Sequence, residues 1–365
     1  MKISIGSRLV DGPWGGGNLF VRNLTRILNQ NGHEVVYNLE HNDIDGILLT
    51  DPRGRQESLS SFNHMDIERY IDLVNPNAIV VQRINECDER KGTKGINNLY
   101  LEASEIANKV VFVSEWLRSI YLEKGMDKEK TSVILAGADR KIFNNENTNY
   151  RIDKSKKIKL VTHHWSDNWN KGFDIYKRID DSINKNYFEY DLEFSYIGNI
   201  SNKINFKNTK IIKPLAGKEL ADELKKNHIY VTGSLNEPSG NHHIEAAQCG
   251  LPILYRNSGG IPEYCDGYGL DFENDFFEKL RILIENYEMY IEKVQSYPND
   301  ADEMSMKFLK IFENNYIKRE TISISKDNDL KYYKFKFNYK IKEFLQMSKV
   351  IKGLRIIIAK FLKER

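Results

Sequence analysis

The stretch from Val231 to Cys265, VTGSLNEPSGNHHIEAAQCGLPILYRNSGGIPEYC, holds the densest set of groups able to do chemistry. Two carboxylates, Glu237 and Glu245, flank Pro238, Ser239, Gly240 and Asn241. Ionised carboxylates only accept hydrogen bonds, which suits the paired hydroxyls of a sugar. An apolar run ends near Thr232 and a helix opens about Asn241, whose side chain suits an N-cap. The unpaired N–H groups of a first helical turn favour an anion such as a diphosphate, and Gly240 permits close backbone approach. Taken alone, the two glutamates could equally be charges that complement the helix macrodipole. A second loop, Ser258-Gly259-Gly260-Ile261-Pro262-Glu263, follows the next apolar run and brings another glycine turn and a third carboxylate to the same edge. Two adjacent loops of that kind favour a ligand site.

Such loops need a parallel sheet to carry them. Short β-rich runs alternate with helical patterns from the start of the chain, the signature of βαβ units. Strands are predicted at Lys2 to Ile5, Glu34 to Tyr37, Gly46 to Leu49, Ala78 to Gln82, Val110 to Val113 and Ser132 to Leu135, with a helix over Asn18 to Asn29. The polar segment 144–157 reads as a linker. Beyond it, strands are predicted at Ile158 to Thr162, Leu192 to Ile197, Thr209 to Ile212, His228 to Thr232 and Pro252 to Tyr255. Helices fit Phe173 to Ile183, Lys218 to Lys226, His242 to Cys249 and Phe276 to Ile291. A chain of 365 residues exceeds one ordinary core. The expectation is an α/β protein: a Rossmann-like domain over 1–150, a second over 151–305, a crossover helix in 306–330 and a tail over 331–365.

With these residues in place, the segment resembles glycosyltransferase family 4, retaining enzymes of the GT-B fold. Glu237 to Glu245 matches the family's Glu-x7-Glu element, and Ala246-Ala247, Gly250-Leu251-Pro252 and Gly259-Gly260-Ile261-Pro262-Glu263 follow in the family order. The resemblance implies two Rossmann-like domains facing across a cleft. It also implies that Glu237 contacts the donor sugar, that Glu245 binds the ribose, and that the Ser239, Gly240 and Asn241 backbone holds sugar and phosphate. Gly15-Gly16-Gly17 is similar to the family's glycine loop near the donor phosphates and acceptor, Ala136-Gly137-Ala138-Asp139 to a later first-domain element, and Lys171-Gly172 to the pair that sets a cation on the diphosphate. The implied set is therefore Glu237 and Lys171 as catalytic groups, with Gly16, Gly17, Ser239, Gly240, Asn241, Glu245, Gly260 and His164 binding the donor.

Two departures stand out. The family's arginine five residues before the lysine is Ser166 here, and His163, His164 or Arg256 are the candidates to replace its charge. His163 and His164 also fit as polar groups at a strand end, and both readings stay open. The family's first-domain histidine has no counterpart; that region reads Gln82-Arg83-Ile84-Asn85-Glu86-Cys87-Asp88-Glu89-Arg90-Lys91. Arg83 and Asn85 are expected on the acceptor side, with Glu86 and Asp88 as further candidates, whereas Glu89, Arg90 and Lys91 read as a solvated loop.

The charge is unevenly spread. Residues 331–365 carry eleven Lys or Arg against two Glu, a net +9, which leaves −7 for the first 330 residues of a chain whose overall charge is +2. From Ile341 on, Phe344, Met347, Ile351, Leu354, Ile358 and Phe361 recur at spacings of three and four, so the tail reads as a basic amphipathic helix. It would adsorb to an anionic membrane surface or pack on the acidic body. Nothing else resembles a base-reading module, so nucleic acid is not expected. Three scattered cysteines, the lack of an apolar signal segment, and the lack of a run approaching roughly 20 apolar residues point to a cytoplasmic protein, peripheral to the inner face of the membrane.

The function expected is retaining transfer of a sugar from a nucleotide-diphosphate donor to a glycan or lipid-linked acceptor in surface polysaccharide assembly. No cofactor or metal is expected, the nucleotide sugar being the co-substrate: no Asp-x-Asp pair occupies the donor region, and adjacent His242 and His243 do not suit one metal. Two alternatives remain open at this point, a nucleotide-sugar epimerase or hydrolase of the same fold, and a catalytically silent sugar-nucleotide-binding scaffold at the membrane.

Overall fold

The computed structural model describes residues 1–347 apart from 13–14, 55–56, 147, 149–150, 184–187 and 317–325; in the last helix, side chains are described for 330–342. The first domain runs β1 (Lys2–Ile5), α1 (Gly16–Gln30), β2 (Glu34–Val36), β3 (Gly46–Leu49), α2 (His64–Leu73), β4 (Ile79–Ile84), α3 (Asp88–Lys91), α4 (Ile96–Ser104), β5 (Lys109–Phe112), α5 (Glu115–Glu123) and β6 (Thr131–Val133). Its six strands pair in parallel in the order β2-β1-β3-β4-β5-β6. The second domain runs β7 (Ile158–His164), α6 (Phe173–Ser182), β8 (Leu192–Gly198), β9 (Lys210–Ile212), α7 (Gly217–Leu224), β10 (Ile229–Thr232), α8 (Asn241–Gln248), β11 (Ile253–Arg256), α9 (Pro262–Cys265), β12 (Gly269–Phe272), α10 (Phe276–Glu285) and α11 (Tyr287–Val294). Its parallel order is β12-β11-β10-β7-β8-β9.

Helices cover both faces of each sheet, so the central strands are rich in buried apolar residues: Ile3, Ile5, Leu48, Val80, Val81, Val110 and Val111 in the first domain and Leu160, Val161, Tyr230 and Val231 in the second are fully buried. Strand order reverses beside β7, which pairs with β10 on one side and β8 on the other. Open α/β sheets bind ligands at the carboxyl ends of the strands at such a switch point. The loops that leave β7 and β10 carry Lys171 and Glu237.

Helix α12 (Ala301–Asn315) returns the chain to the first domain. Phe308 meets Phe20 of α1 edge to face with ring centres 5.1 Å apart, Arg26 pairs with Asp302, and Ala301 N–H donates to the Ala138 carbonyl at 3.0 Å. The crossover helix thus begins five residues before the expected 306, because its Asp300 cap and the Ala138 contact fix its start. The long helix expected over Phe276 to Ile291 is two, α10 and α11, which meet at Asn286, and β12 adds an edge strand that the sequence reading did not include.

Helix α13 (Lys326–Met347) lies on the first domain. Phe335 and Tyr339 are buried against α2 and its surroundings, the Tyr70 and Phe335 rings lie 5.6 Å apart, Lys340 pairs with Glu40 at 3.3 Å and Lys342 with Asp66. Leu330, Tyr333, Phe337 and Ile341, spaced three and four apart, form its exposed face. Described residues therefore show the tail packed on the body. The side chains of Phe344 and Met347, and residues 348–365 with the rest of the expected stripe through Phe361, lie outside the described residues. Among the described residues, no helix is long and apolar enough to cross a membrane.

Candidate functional site

A cavity of about 680 Å³ opens between the two sheets. Gly16, Gly17, Arg83, Asn85, His164, Lys171, Glu237, Ser239, Gly240, Asn241 and Glu245 line it. One expected donor residue, Gly260, does not. Its N–H donates to the Glu237 carbonyl at 2.9 Å, and a Cβ there would stand 2.4 Å from the Pro238 carbonyl and 2.7 Å from Ser114. The glycine turn therefore works behind the site, clasping the peptide that carries Glu237, because only a residue without a side chain fits between the two loops.

Glu237 is the electrostatic centre. Its buried carboxylate takes Lys171 Nζ on Oε2 and Arg90 Nη2 on Oε1, the latter at 3.1 Å. Burial by itself would raise the Glu237 pKa; Arg90 and Lys171 outweigh it and hold the carboxyl below its usual range. Burial lowers the Lys171 pKa, against the pull of Glu237. Lys171 is presented by a turn zipped to the Glu237 loop, in which Leu235 N–H donates to the Asn170 carbonyl at 2.7 Å. In the sequence, Arg90 reads as part of a solvated loop. Instead it crosses the cleft, and its neighbourhood follows: Asn170 Nδ2 donates to the Arg90 carbonyl at 3.2 Å and Asn236 Nδ2 to the Glu89 carbonyl at 3.2 Å.

The candidates to replace the charge missing at Ser166 are otherwise occupied. His163 Nε2 lies 2.9 Å from Glu245 Oε2, while His164 Nε2 lies 2.7 Å from the Tyr176 hydroxyl. Burial pushes the His164 pKa well below its ordinary value, so it is a neutral group of the cavity floor. Arg256 pairs with Asp174 and does not line the cavity. Asp88 is also spent elsewhere, since its carboxylate accepts the Gly95, Ile96 and Asn97 N–H groups and so holds the turn into α4. Glu86 does line the cavity; its Oε2 takes Arg90 and Lys91, and its buried Oε1 has no hydrogen-bond partner among the described residues.

Two helix starts face each other here. Asn241 is the first residue of α8 rather than its cap; Gly240 holds the cap position, with no side chain bonded to the first-turn amides. Helix α1 likewise begins after Gly15 without a side-chain cap. A Cβ on Gly16 would stand 2.7 Å from Asn241 Oδ1, so the glycine lets the two N-termini approach across the cleft. Their exposed N–H groups and aligned dipoles, with Lys171 and Arg90, make a cation-rich recess suited to a diphosphate. Nearby, Pro214, Leu215 and Ala216 add an apolar wall. Among the described residues, no three His, Cys, Asp or Glu side chains are grouped to hold a metal.

Glu263, the third carboxylate of the motif, faces the other domain. Its Oε2 and Oε1 accept the Glu115 and Trp116 N–H groups of α5 at 2.7 and 2.8 Å. Beside it Tyr264 donates its hydroxyl to the Val113 carbonyl and accepts from Ala136 N–H at 3.0 Å. This part of the motif joins the domains.

Residues 191–308 match the family described as glycosyl transferases group 1. Over 90 residues, the sequence is 29% identical to the gpi3 subunit of phosphatidylinositol N-acetylglucosaminyltransferase from Schizosaccharomyces pombe; the match spans 24% of this chain and 20% of that protein. In fold, the chain is similar to Anabaena Alr3699/HepE in complex with UDP-glucose, with a TM-score of 0.64 at 12% identity over 86% of this chain and 100% of that one. Sucrose-phosphate synthase from Thermosynechococcus elongatus gives 0.63 at 14% identity over 86% and 98% of the two chains. A glycosyltransferase from Rickettsia africae gives 0.59 at 16% identity over 86% and 98%. These neighbours bear out the expected fold of two Rossmann-like domains.

Proposed function

We propose, from the match of residues 191–308 to the group 1 glycosyl transferases and the likeness of 86% of the chain to glycosyltransferase structures, that this protein transfers a hexose with retention from a nucleotide-diphosphate sugar to a glycan or lipid-linked acceptor in surface polysaccharide assembly. The observation that carries this reading is the convergence of Glu237, Lys171 and Arg90 with the uncapped start of α8 in one interdomain cavity.

In this reading the diphosphate lies between the α8 and α1 N-termini, with Lys171 and Arg90 beside it. Arg90 fills from the first domain the role that Ser166 leaves empty in the second. The nucleobase rests toward Pro214 and Leu215, the ribose reaches Glu245, held by His163, and Glu237 accepts donor-sugar hydroxyls. The acceptor hydroxyl attacks the anomeric carbon on the face from which the diphosphate departs. As the bond from that carbon to the phosphate oxygen breaks, negative charge grows on the leaving group, where preorganised cations and amides stabilise it. A phosphate oxygen takes the acceptor proton, so no protein base is needed. Lys171, Arg90 and the helix starts supply the positive charge for the diphosphate, and transfer is expected to persist with EDTA.

The exposed Leu330, Tyr333, Phe337 and Ile341 stripe, flanked by lysines, supports seating on an anionic membrane surface. The Anabaena neighbour was solved with UDP-glucose, so UDP-sugars are the first donors to try. The test is a thermal-shift panel of nucleoside diphosphates and their sugars on wild type and Glu245→Ala. Stabilisation by one nucleotide, weakened in the variant, supports the donor site; no shift with any nucleotide at millimolar concentration sinks it.

A further inference from the structure

Among the described residues, six Lys or Arg side chains line the cavity, and five of them have a carboxylate partner. Lys171 and Arg90 hold Glu237, Arg53 holds Asp51, Arg26 holds Asp302 and Arg22 holds Asp11. Arg83 is the exception. It stands near the end of β4 and is only 6% exposed, and its guanidinium has neither an ion pair nor a hydrogen bond among the described residues. The central carbon of its guanidinium sits over the ring of Phe20 of α1, 4.1 Å from the ring centre. Such a cation–π contact holds a guanidinium in place without neutralising it. Burial pushes its pKa down to about 10, so it remains charged at neutral pH.

A buried cation with no anion is costly and is normally paired or replaced by an apolar side chain. We propose that Arg83 is the binding residue for an anionic group, a carboxylate or a phosphate ester, carried by the sugar acceptor. Ser7, Thr50, Ser60 and Asn85 of the first domain line the same cavity as Arg83, whereas Lys171 and Glu237 are carried by loops of the second domain. Those loops, with Arg90, already hold the charges that a diphosphate requires. The planar guanidinium fork takes two oxygens of a carboxylate or phosphate at once, and an incoming anion supplies the partner the fold withholds. Acceptors are then acidic, such as a uronic acid residue or a sugar phosphate. This inference rests on the donor-site reading above, which fixes the side of the cavity left for the acceptor.

The experiment titrates wild type, Arg83→Met and Arg83→Lys by calorimetry, in the presence of saturating UDP, with methyl glucuronide, glucose 6-phosphate and the neutral methyl glucoside as probes. UDP is titrated separately into each protein. Wild type is expected to bind at least one acidic probe tenfold or more tighter than the neutral one. Arg83→Met should erase that preference, Arg83→Lys should keep part of it, and UDP affinity should change less than twofold. Because Met removes an unpaired buried charge at similar volume, the Arg83→Met unfolding midpoint should stay level or rise. Equal wild-type affinity for acidic and neutral probes overturns the proposal. So does a tenfold loss of UDP affinity in Arg83→Met, which would make Arg83 a donor ligand, and so does a marked fall in its unfolding midpoint, which would make it a structural anchor. Failure of wild type to bind UDP or any other nucleoside diphosphate counts instead against the donor reading.

Discussion

Arg90 of the first domain and Glu237 of the second meet at 3.1 Å, with Glu86 on the other side of the same guanidinium at 3.2 Å. The residue that completes the cationic set thus comes from the opposite side of the cleft. Arg90→Ala is expected to lower kcat/KM tenfold to a hundredfold, about 1.4 to 2.8 kcal/mol of transition-state stabilisation. A double-mutant cycle with Glu237→Gln should show strong coupling. Steady-state kinetics with the donor identified by thermal shift is the check, and additive effects would remove the link.

Lys171 is half-buried beside Glu237 and presents a single point charge. Replacement by Met should reduce kcat by about 10² to 10³, the usual scale for loss of a preorganised charge-stabilising group. A Lys171→Arg variant should recover only part of the loss, because its fork does not fit a recess cut for an ammonium. Unchanged kcat in Lys171→Met would discard its role on the leaving group.

Glu263 caps α5 across the domain boundary through two backbone N–H groups. Glu263→Ala is expected to cost about 1 kcal/mol, the scale of a helix cap, in denaturant unfolding. Nucleotide affinity should be nearly unaffected. Loss of nucleotide binding at unchanged stability would return Glu263 to the ligand site.

Burial lowers the pKa of His164, His242 and His243, the last to about 3. In the unfolded chain each titrates near 6.5. Between the folded and unfolded values the unfolded state binds the extra proton, so stability rises with pH in that window and falls as pH drops below about 6.5, by up to about 1.4 kcal/mol per unit for each histidine. Denaturant unfolding from pH 7.5 to 4.5 should show this slope, reduced in His243→Gln. A flat profile would mean that these rings charge as readily folded as unfolded.

Helix α13 turns Phe335 and Tyr339 inward and Tyr333 and Phe337 outward. Tyr333→Ser with Phe337→Ser should therefore weaken sedimentation with phosphatidylglycerol vesicles severalfold while the unfolding midpoint stays within a few degrees. Equal binding by the variant, or no preference of wild type for anionic over neutral vesicles, would remove the outer face as the membrane contact.

Local pattern in the chain was enough for most of the elements and for singling out the segment around Glu237 and Glu245. Apolar runs bounded by glycines mark buried parallel strands, and Glu237, Glu245 and the loops around them lie close together in sequence, so their relation is a matter of turns and one helix start. Lys171 was singled out through the resemblance of Lys171-Gly172 to a family element, and its place beside Glu237 follows only from the fold. What the sequence did not reveal depends on the approach of one domain to the other. Arg90 reads as one charge in a polar run until α3 is seen against the Glu237 loop, and Glu263 reads as a ligand until α5 is seen beside it. Asn241 reads as a cap, but Gly240 takes that position and Gly16 leaves room for its side chain across the cleft. His164 at the end of β7 and Asp88 at the start of α3 show the opposite outcome, polar groups whose partners lie within their own domain. Which charges were paired, and that Arg83 was not, follows from contacts between distant segments, and such contacts form only when two sheets close on one cavity.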